Sequence, residues 1–243
     1  MITERHTILS SNLDQTMEIG VYGHFGFSIL LFPTITDDPY ENETYGMISA
    51  LSKYITKGKL RVFSVGNVNF QTWLDPFKSN EERSHRHYQY NSFIVEEIVP
   101  FIFGHCGGPV PIITCGAAIG AYHAVNTYFR RPDIFYGTIG MSGTYNIEHY
   151  TQGFYDSNCY FNSPIHYLPN LTDPYWLSFL QSKHHVYLLT GRGNEEFPEN
   201  TINLSEVLNN KEISNHLEVW SPEWDHSFNT WNAMLQHILE TRL

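Results

Sequence analysis

The sequence predicts an α/β fold, a mostly parallel twisted sheet with helices on both faces and an antiparallel start. Short apolar runs alternate with segments of helical periodicity from Leu51 onward, which is typical of strand–helix repeats. The run 27–33 is apolar almost throughout, as in a strand buried on both faces. With 243 residues and 42% hydrophobic content, the chain fits one domain, 1–243.

The antiparallel start is predicted from strands at 17–24 and 27–33, joined by a tight turn between Gly23 and Gly26. Helices and strands then alternate. They are expected, in chain order, as a helix at 47–55, a strand at 60–65, a helix at 85–103, a strand at 110–115, a helix at 121–130, a strand at 136–141, a helix at 174–181, a strand at 185–189, a helix at 202–208, a strand at 217–220 and a helix at 229–239.

The segment 144–173 has no clean period and holds many Tyr, Asn and His residues. Long irregular segments in compact domains are often functional, so it is predicted to be a cap or a substrate-facing insertion.

Composition excludes several classes of function. The net charge is −11 and no basic run occurs, which argues against nucleic acid as a partner. Residues 1–15 lack the apolar core of a signal peptide, and no apolar run is long enough for a membrane span. Three cysteines without C-x-x-C spacing favour neither a disulfide framework nor a zinc site. A cytoplasmic location is therefore expected.

The stretch Gly116-Ala117-Ala118-Ile119-Gly120 connects a predicted strand to a predicted helix. Strand, small-residue turn and helix are the setting of the G-x-S-x-G nucleophile elbow of α/β-hydrolases. Both glycines are present, but Ala118 occupies the nucleophile position. The same glycine spacing also occurs in other α/β folds, where it only allows a helix to pack closely on the sheet.

Two later strand ends carry candidates for the other members of a catalytic triad. A glycine-rich loop after the strand 185–189 presents Glu195 and Glu196, and His226 precedes the last helix. The order nucleophile, acid, histidine is that of α/β-hydrolases. Imidazole can accept a hydroxyl proton, and a carboxylate can orient it. The glutamates could also be solvated loop charges, and Asp225 a turn residue or N-cap.

No metal site and no cofactor are expected. The chain has 13 histidines but no H-E-x-x-H motif or comparable set. The alternating pair His85 and His87 could bind a metal weakly. These two and His105 are interpreted as surface or packing residues.

The chain resembles the bacterial esterase-like α/β-hydrolases related to esterase D and feruloyl esterases, over nearly its whole length after Gly20. The matching segments are collinear. They are 32–34, the elbow and helix start at 116–124, 130–135, Ser142-Gly143, 162–164, 167–171, 173–174, and His226 before a helix with Phe228 and Trp231.

The resemblance implies a catalytic role for position 118 as nucleophile site and for His226 as base. It implies Glu196 as the acid, with Glu195 as the second choice. It also implies an oxyanion hole built from two backbone N–H groups.

These N–H groups would be those of Ile119 and Ile35. The family has a glycine-rich oxyanion loop, whereas Ile35-Thr36-Asp37-Asp38 stands here. The second donor is therefore less firmly implied than the first.

The predicted function is that of a serine-type carboxylic ester hydrolase acting on a small-molecule ester. Ala118 predicts that the chain as given is inactive. One explanation is a variant whose serine was replaced by alanine; the alternative is a natural non-catalytic pseudoenzyme that binds an ester-like ligand or a protein partner. An edge strand could support a homodimer.

Overall fold

An eight-stranded sheet runs through the structure, a computed structural model that describes residues 2–243. The strands are, in chain order, β1 (Thr3–Ser10), β2 (Gln15–Tyr22), β3 (Phe27–Leu31), β4 (Leu60–Val65), β5 (Ile112–Ala117), β6 (Gly137–Met141), β7 (His185–Thr190) and β8 (His216–Val219). Their order in the sheet is β1-β2-β4-β3-β5-β6-β7-β8.

Pairing is antiparallel from β1 to β2 and from β2 to β4, and parallel between all later neighbours. The predicted fold class, mostly parallel with an antiparallel start, is therefore confirmed. The central strands β4, β5 and β6 are buried along their whole length, because helices cover both faces of this part of the sheet.

Eleven α-helices occur within the described residues. They are α1 (Glu41–Thr44), α2 (Met47–Thr56), α3 (Asn80–Phe93), α4 (Val99–Cys106), α5 (Ile119–Arg130), α6 (Glu148–Thr151), α7 (Ser157–Tyr160), α8 (Pro164–Tyr167), α9 (Pro174–Ser182), α10 (Pro198–Asn210) and α11 (Phe228–Thr241). Apolar side chains of α2 and α11 cover one face of the sheet, and those of α3, α4, α5 and α10 cover the other.

The helix predicted at 85–103 is longer and is interrupted. It begins at α3, where Ser79 and Glu82 form a capping box, and it continues to the end of α4. Between them, Ile94–Ile98 forms a π-helical turn just before Pro100. Because proline has no N–H to donate to the preceding turn, the regular hydrogen-bond pattern is broken there.

The predicted hairpin between 17–24 and 27–33 is wrong, because β2 and β3 are not neighbours: β4 lies between them. Gly26 instead brings the chain so close to Lys59 that a Cβ would collide with the Lys59 carbonyl. β2 pairs instead with β4 and with β1, a strand that the sequence did not predict. β1 is an edge strand whose Glu4, Arg5 and His6 interrupt any apolar alternation.

The carboxyl ends of the parallel strands meet at one edge of the sheet, where open α/β sheets place their ligand sites. None of the helices within residues 2–243 has the combination of length and apolarity that crossing a bilayer demands.

Candidate active site

The turn between β5 and α5 has the strained conformation of a nucleophile elbow. Ala118 lies at φ 52° and ψ −122°, a region that residues with a Cβ rarely adopt. The residues two positions before and after it are glycines for a steric reason. A Cβ on Gly116 would collide with the Gly120 carbonyl, and a Cβ on Gly120 would lie 2.5 Å from the Pro33 oxygen. The elbow is therefore built, and it presents a methyl group.

The loop after β7 buries one of its two glutamates and exposes the other. Glu196 is 9% exposed, and its carboxylate accepts hydrogen bonds from Ser142 Oγ at 2.5 Å and Thr190 Oγ1 at 3.1 Å. Glu195 is exposed and has a positive φ of 60°. Adjacent residues in this turn therefore point to different surroundings.

Two opposing effects act on the pKa of Glu196. Burial raises it, while interaction with His226 and the hydrogen bond from Ser142 lower it more strongly, so the pKa lies below its ordinary value. The carboxyl group is therefore ionised at neutral pH without a lysine or arginine partner.

His226 is held by bonds between its own loop and the loop of Glu196. The backbone N–H of His226 donates to the Asn194 carbonyl at 3.0 Å, and the Asp225 carboxylate accepts from the backbone N–H of Asn194 at 2.6 Å. The Asp225 side chain therefore connects the loop of His226 to the loop of Glu196. A Cβ on Gly193 would collide with the Asp225 carboxylate, so this approach requires glycine.

The His226 Nδ1 atom lies 3.7 Å from Glu196 Oε2, within ion-pair range but too long for a hydrogen bond. This Nδ1 atom is buried and makes no hydrogen bond within the described residues. Trp231 packs edge-on against the imidazole at 4.9 Å and donates through Nε1 to Ser142 Oγ at 3.1 Å. Trp231 and Ser142 thereby fix both members of the pair.

The loop after β3 is organised by a buried carboxylate. Glu41, 4% exposed, accepts from the Thr34 N–H at 2.5 Å and from the Thr36 N–H at 3.4 Å. The N–H of Ile35 lies between these two donors. The other predicted donor, the Ile119 N–H, is the first of α5 and has no acceptor within the helix.

A second connection reaches the same loop from α5. His123 Nε2 pairs with Asn69 Oδ1 at 2.8 Å, and Asn69 Nδ2 donates to the Thr34 carbonyl at 3.4 Å. The elbow helix and the loop after β3 are therefore joined through two buried side chains.

A cavity of about 620 Å³ opens over the elbow. All the predicted site residues except Glu196 line it, namely Ala118, Ile119, Ile35, Glu195 and His226. Leu74, Tyr122, Tyr150 and Phe197 make much of the remaining wall apolar. Thr144 and Tyr150 come from the predicted cap segment 144–173. No lysine or arginine lines the cavity among residues 2–243.

Sequence reasoning missed the residues that hold the site together: Glu41, Asn69, Ser142, Thr190 and Trp231. Ser142 and Trp231 fell within segments that resembled the family, without an assigned role. Nothing in the sequence distinguished Glu41, because its partners are backbone groups, which every residue carries.

Comparison with known proteins agrees with this arrangement. A family model described as "Putative esterase" matches residues 44–241, and the chain belongs to this Esterase family. A comparison with curated proteins finds no match.

Solved structures share the fold. A ferulic acid esterase is 16% identical with a TM-score of 0.76, covering 98% of this chain and 96% of its own. An S-formylglutathione hydrolase from Agrobacterium tumefaciens is 13% identical with a TM-score of 0.74, covering 98% and 93%. The ferulic acid esterase AmCE1/Fae1A from the anaerobic fungus Anaeromyces mucronatus is 13% identical with a TM-score of 0.71, covering 99% and 90%.

Proposed function

We propose that this chain carries the site of a serine-type carboxylic ester hydrolase whose nucleophile position holds Ala118. The observation that supports this most strongly is the strained φ of 52° at Ala118, directly beneath the cavity that His226 lines. Such strain costs of order 1–3 kcal/mol and persists where the surroundings impose it. An alanine whose side chain only fills space does not require a strained backbone conformation.

With serine at position 118, the mechanism is acyl transfer followed by hydrolysis. The hydroxyl attacks the ester carbonyl while His226 accepts its proton, and the alcohol leaves with that proton. Water activated by His226 then releases the acid. Glu196 orients the imidazole and stabilises its charged form, and a closer approach than 3.7 Å is expected once substrate is bound.

The oxyanion of the tetrahedral intermediate would be bound by the N–H groups of Ile119 and Ile35. Helix α5 adds the positive end of its dipole at Ile119. Glu41, by holding the N–H groups on either side of Ile35, leaves that donor available to the ligand.

We further propose that the substrate is a neutral ester with an apolar or aromatic group. Supporting this, the cavity wall carries Leu74, Tyr122, Tyr150 and Phe197, and the titratable groups described there are Glu195, His226 and two tyrosines. An anionic substrate would find no cation within the described lining.

The test compares the unaltered chain with Ala118→Ser on p-nitrophenyl acetate. Because a triad nucleophile contributes on the order of 10⁶ in rate, the serine form should gain up to about that factor. His226→Ala in the serine background should remove the gain. Ala50→Ser, which adds a serine on α2 away from the site, is the matched control and should remain inactive.

Ala118 itself favours a second candidate, a non-catalytic protein that binds an ester-like ligand in the same cavity. If the Ala118→Ser variant hydrolysed none of the acetyl, octanoyl and benzoyl esters of p-nitrophenol, the proposed hydrolase function would be contradicted. Saturable binding of methyl benzoate, a neutral ester, to the unaltered chain, measured by calorimetry, would then support this second function.

A further inference from the structure

Three side chains with metal-ligating atoms converge far from the cavity. Glu4 and His6 alternate on β1 and so share one face of the strand, while His105 lies in the last turn of α4. His6 Nε2 is 3.0 Å from one oxygen of Glu4, and His105 Nε2 is 3.8 Å from the other. One ligating atom from each residue lies within 4.8 Å of the other two.

A hydrogen bond explains the proximity of His6 and Glu4, but it does not explain His105. At 3.8 Å, His105 Nε2 is too distant from the carboxylate for a hydrogen bond, yet it faces the same group. Ligands of a tetrahedral zinc ion at about 2.0–2.1 Å are separated from one another by about 3.4 Å. The distances between the ligating atoms of the three side chains are therefore near this spacing of about 3.4 Å, and side-chain rotation would bring all three to that value.

Both imidazoles are held by aromatic neighbours. Phe101 packs edge-on against His6 at 5.2 Å and lies parallel to His105 at 6.0 Å, and Phe63 packs edge-on against His105 at 5.6 Å. Arg61 Nη1 donates to the His105 carbonyl at 3.2 Å, which also holds the backbone at the end of α4. The rings are thus oriented before any ion binds.

The donor set selects the class of ion. Two imidazoles and one carboxylate suit zinc and other divalent first-row transition metals, whereas calcium and magnesium prefer sets of oxygen ligands. The side chains of Glu4 and His6 are 40% and 33% exposed, so solvent can supply a fourth ligand.

We propose that Glu4, His6 and His105 form a binding site for one divalent transition-metal ion of the zinc class. The ion would link the edge strand β1 to helix α4. Four strand spacings separate β1 from β5, or roughly 19 Å at about 4.8 Å each. The site is therefore separate from the elbow and has a structural role, independent of the proposed hydrolase.

The experiment uses the full chain without a histidine tag, stripped with EDTA and titrated with ZnCl2 or CoCl2 alone. One equivalent should bind, with visible d–d absorption for cobalt. Zinc at a hundredfold excess over its dissociation constant should raise the Tm by about 5–10 °C.

The variants His105→Gln and Glu4→Gln should each weaken binding by more than the roughly 10–100-fold that loss of an outer-shell partner costs. The control His85→Gln removes an exposed histidine of α3 and should bind as the unaltered chain does. Circular dichroism of the metal-free proteins separates lost binding from lost folding.

Absence of binding by the unaltered chain would overturn the proposal. So would binding that survives in both His105→Gln and Glu4→Gln, because another of the histidines would then hold the ion.

Discussion

Glu41 and Glu196 are both buried behind residues that line the cavity, yet their carboxylates have different kinds of partner. Glu41 accepts from two backbone N–H groups and so fixes the path of the loop after β3. Glu196 accepts from two hydroxyl groups and faces the imidazole of His226. The first carboxylate fixes the geometry of a loop, whereas in the proposed mechanism the second would stabilise the positive charge of the His226 imidazolium.

The largest effect is expected from removing the charge of Glu196. In the Ala118→Ser background, Glu196→Gln should lower kcat by about 10⁴, because a neutral amide neither stabilises the imidazolium nor enforces its tautomer. Glu199→Gln, an exposed position at the start of α10, is the matched control. If Glu195→Gln lost the activity instead, the acid assignment would pass to Glu195.

A smaller effect is expected at Glu41. In the same background, Glu41→Ala should lower kcat by about 10²–10³ with little change in KM, because one oxyanion donor would be misplaced. Glu41→Gln should restore part of this rate, since an amide oxygen can still accept from a backbone N–H. A fall in Tm without any change in kcat would show that Glu41 only stabilises the fold; Glu43→Ala, also on α1, provides the comparison.

Lowering the pH should reduce the free energy of unfolding through His123 and through Glu196 in two different pH ranges. Burial lowers the pKa of His123, which supports the Thr34 loop through Asn69, to about 3, whereas histidine in an unfolded chain titrates near 6.5. Between these values the unfolded state binds a proton that the folded state does not. The free energy of unfolding should therefore fall by about 2 kcal/mol for this residue between pH 7 and pH 5.

Glu196 should affect the free energy of unfolding only at lower pH than His123 does. Its folded pKa lies below its ordinary value, so its contribution is complete above about pH 4.5 and is lost only as the pH falls further. Urea unfolding at several pH values tests both statements. Buried His87 adds a slope of the same sign as His123. His123→Gln should remove about one proton from that slope. An unfolding free energy that stays constant from pH 7 to pH 5 would contradict this.

The sequence revealed the parts of the fold and site that depend on local chemistry. The turn was predictable because small residues stand between an apolar run and a helix, although the same spacing also serves close packing in other α/β folds. The structure gives Ala118 the strained backbone of that turn. His226 was visible from its place before the last helix. Every strand of the parallel part was predicted within a few residues of its observed position, and β3 was predicted from a nearly continuous apolar run.

The remainder depends on contacts between distant residues. Glu195 and Glu196 are adjacent and chemically equivalent, and only the direction of the turn separates them. Glu41 acts on backbone groups, and the loop bonds between Asn194 and Asp225 join segments about thirty residues apart. The strand β1 has no apolar alternation, because a sheet edge in contact with solvent does not require it.

The strained backbone at Ala118 also has a genetic consequence. Every alanine codon becomes a serine codon through one change of its first base. Since the φ of 52° is already present and a serine side chain fits the same backbone, that change would place a hydroxyl at the elbow without any rearrangement of the chain. In mutational terms, the present sequence is therefore one nucleotide away from the full set of side chains that the proposed mechanism uses.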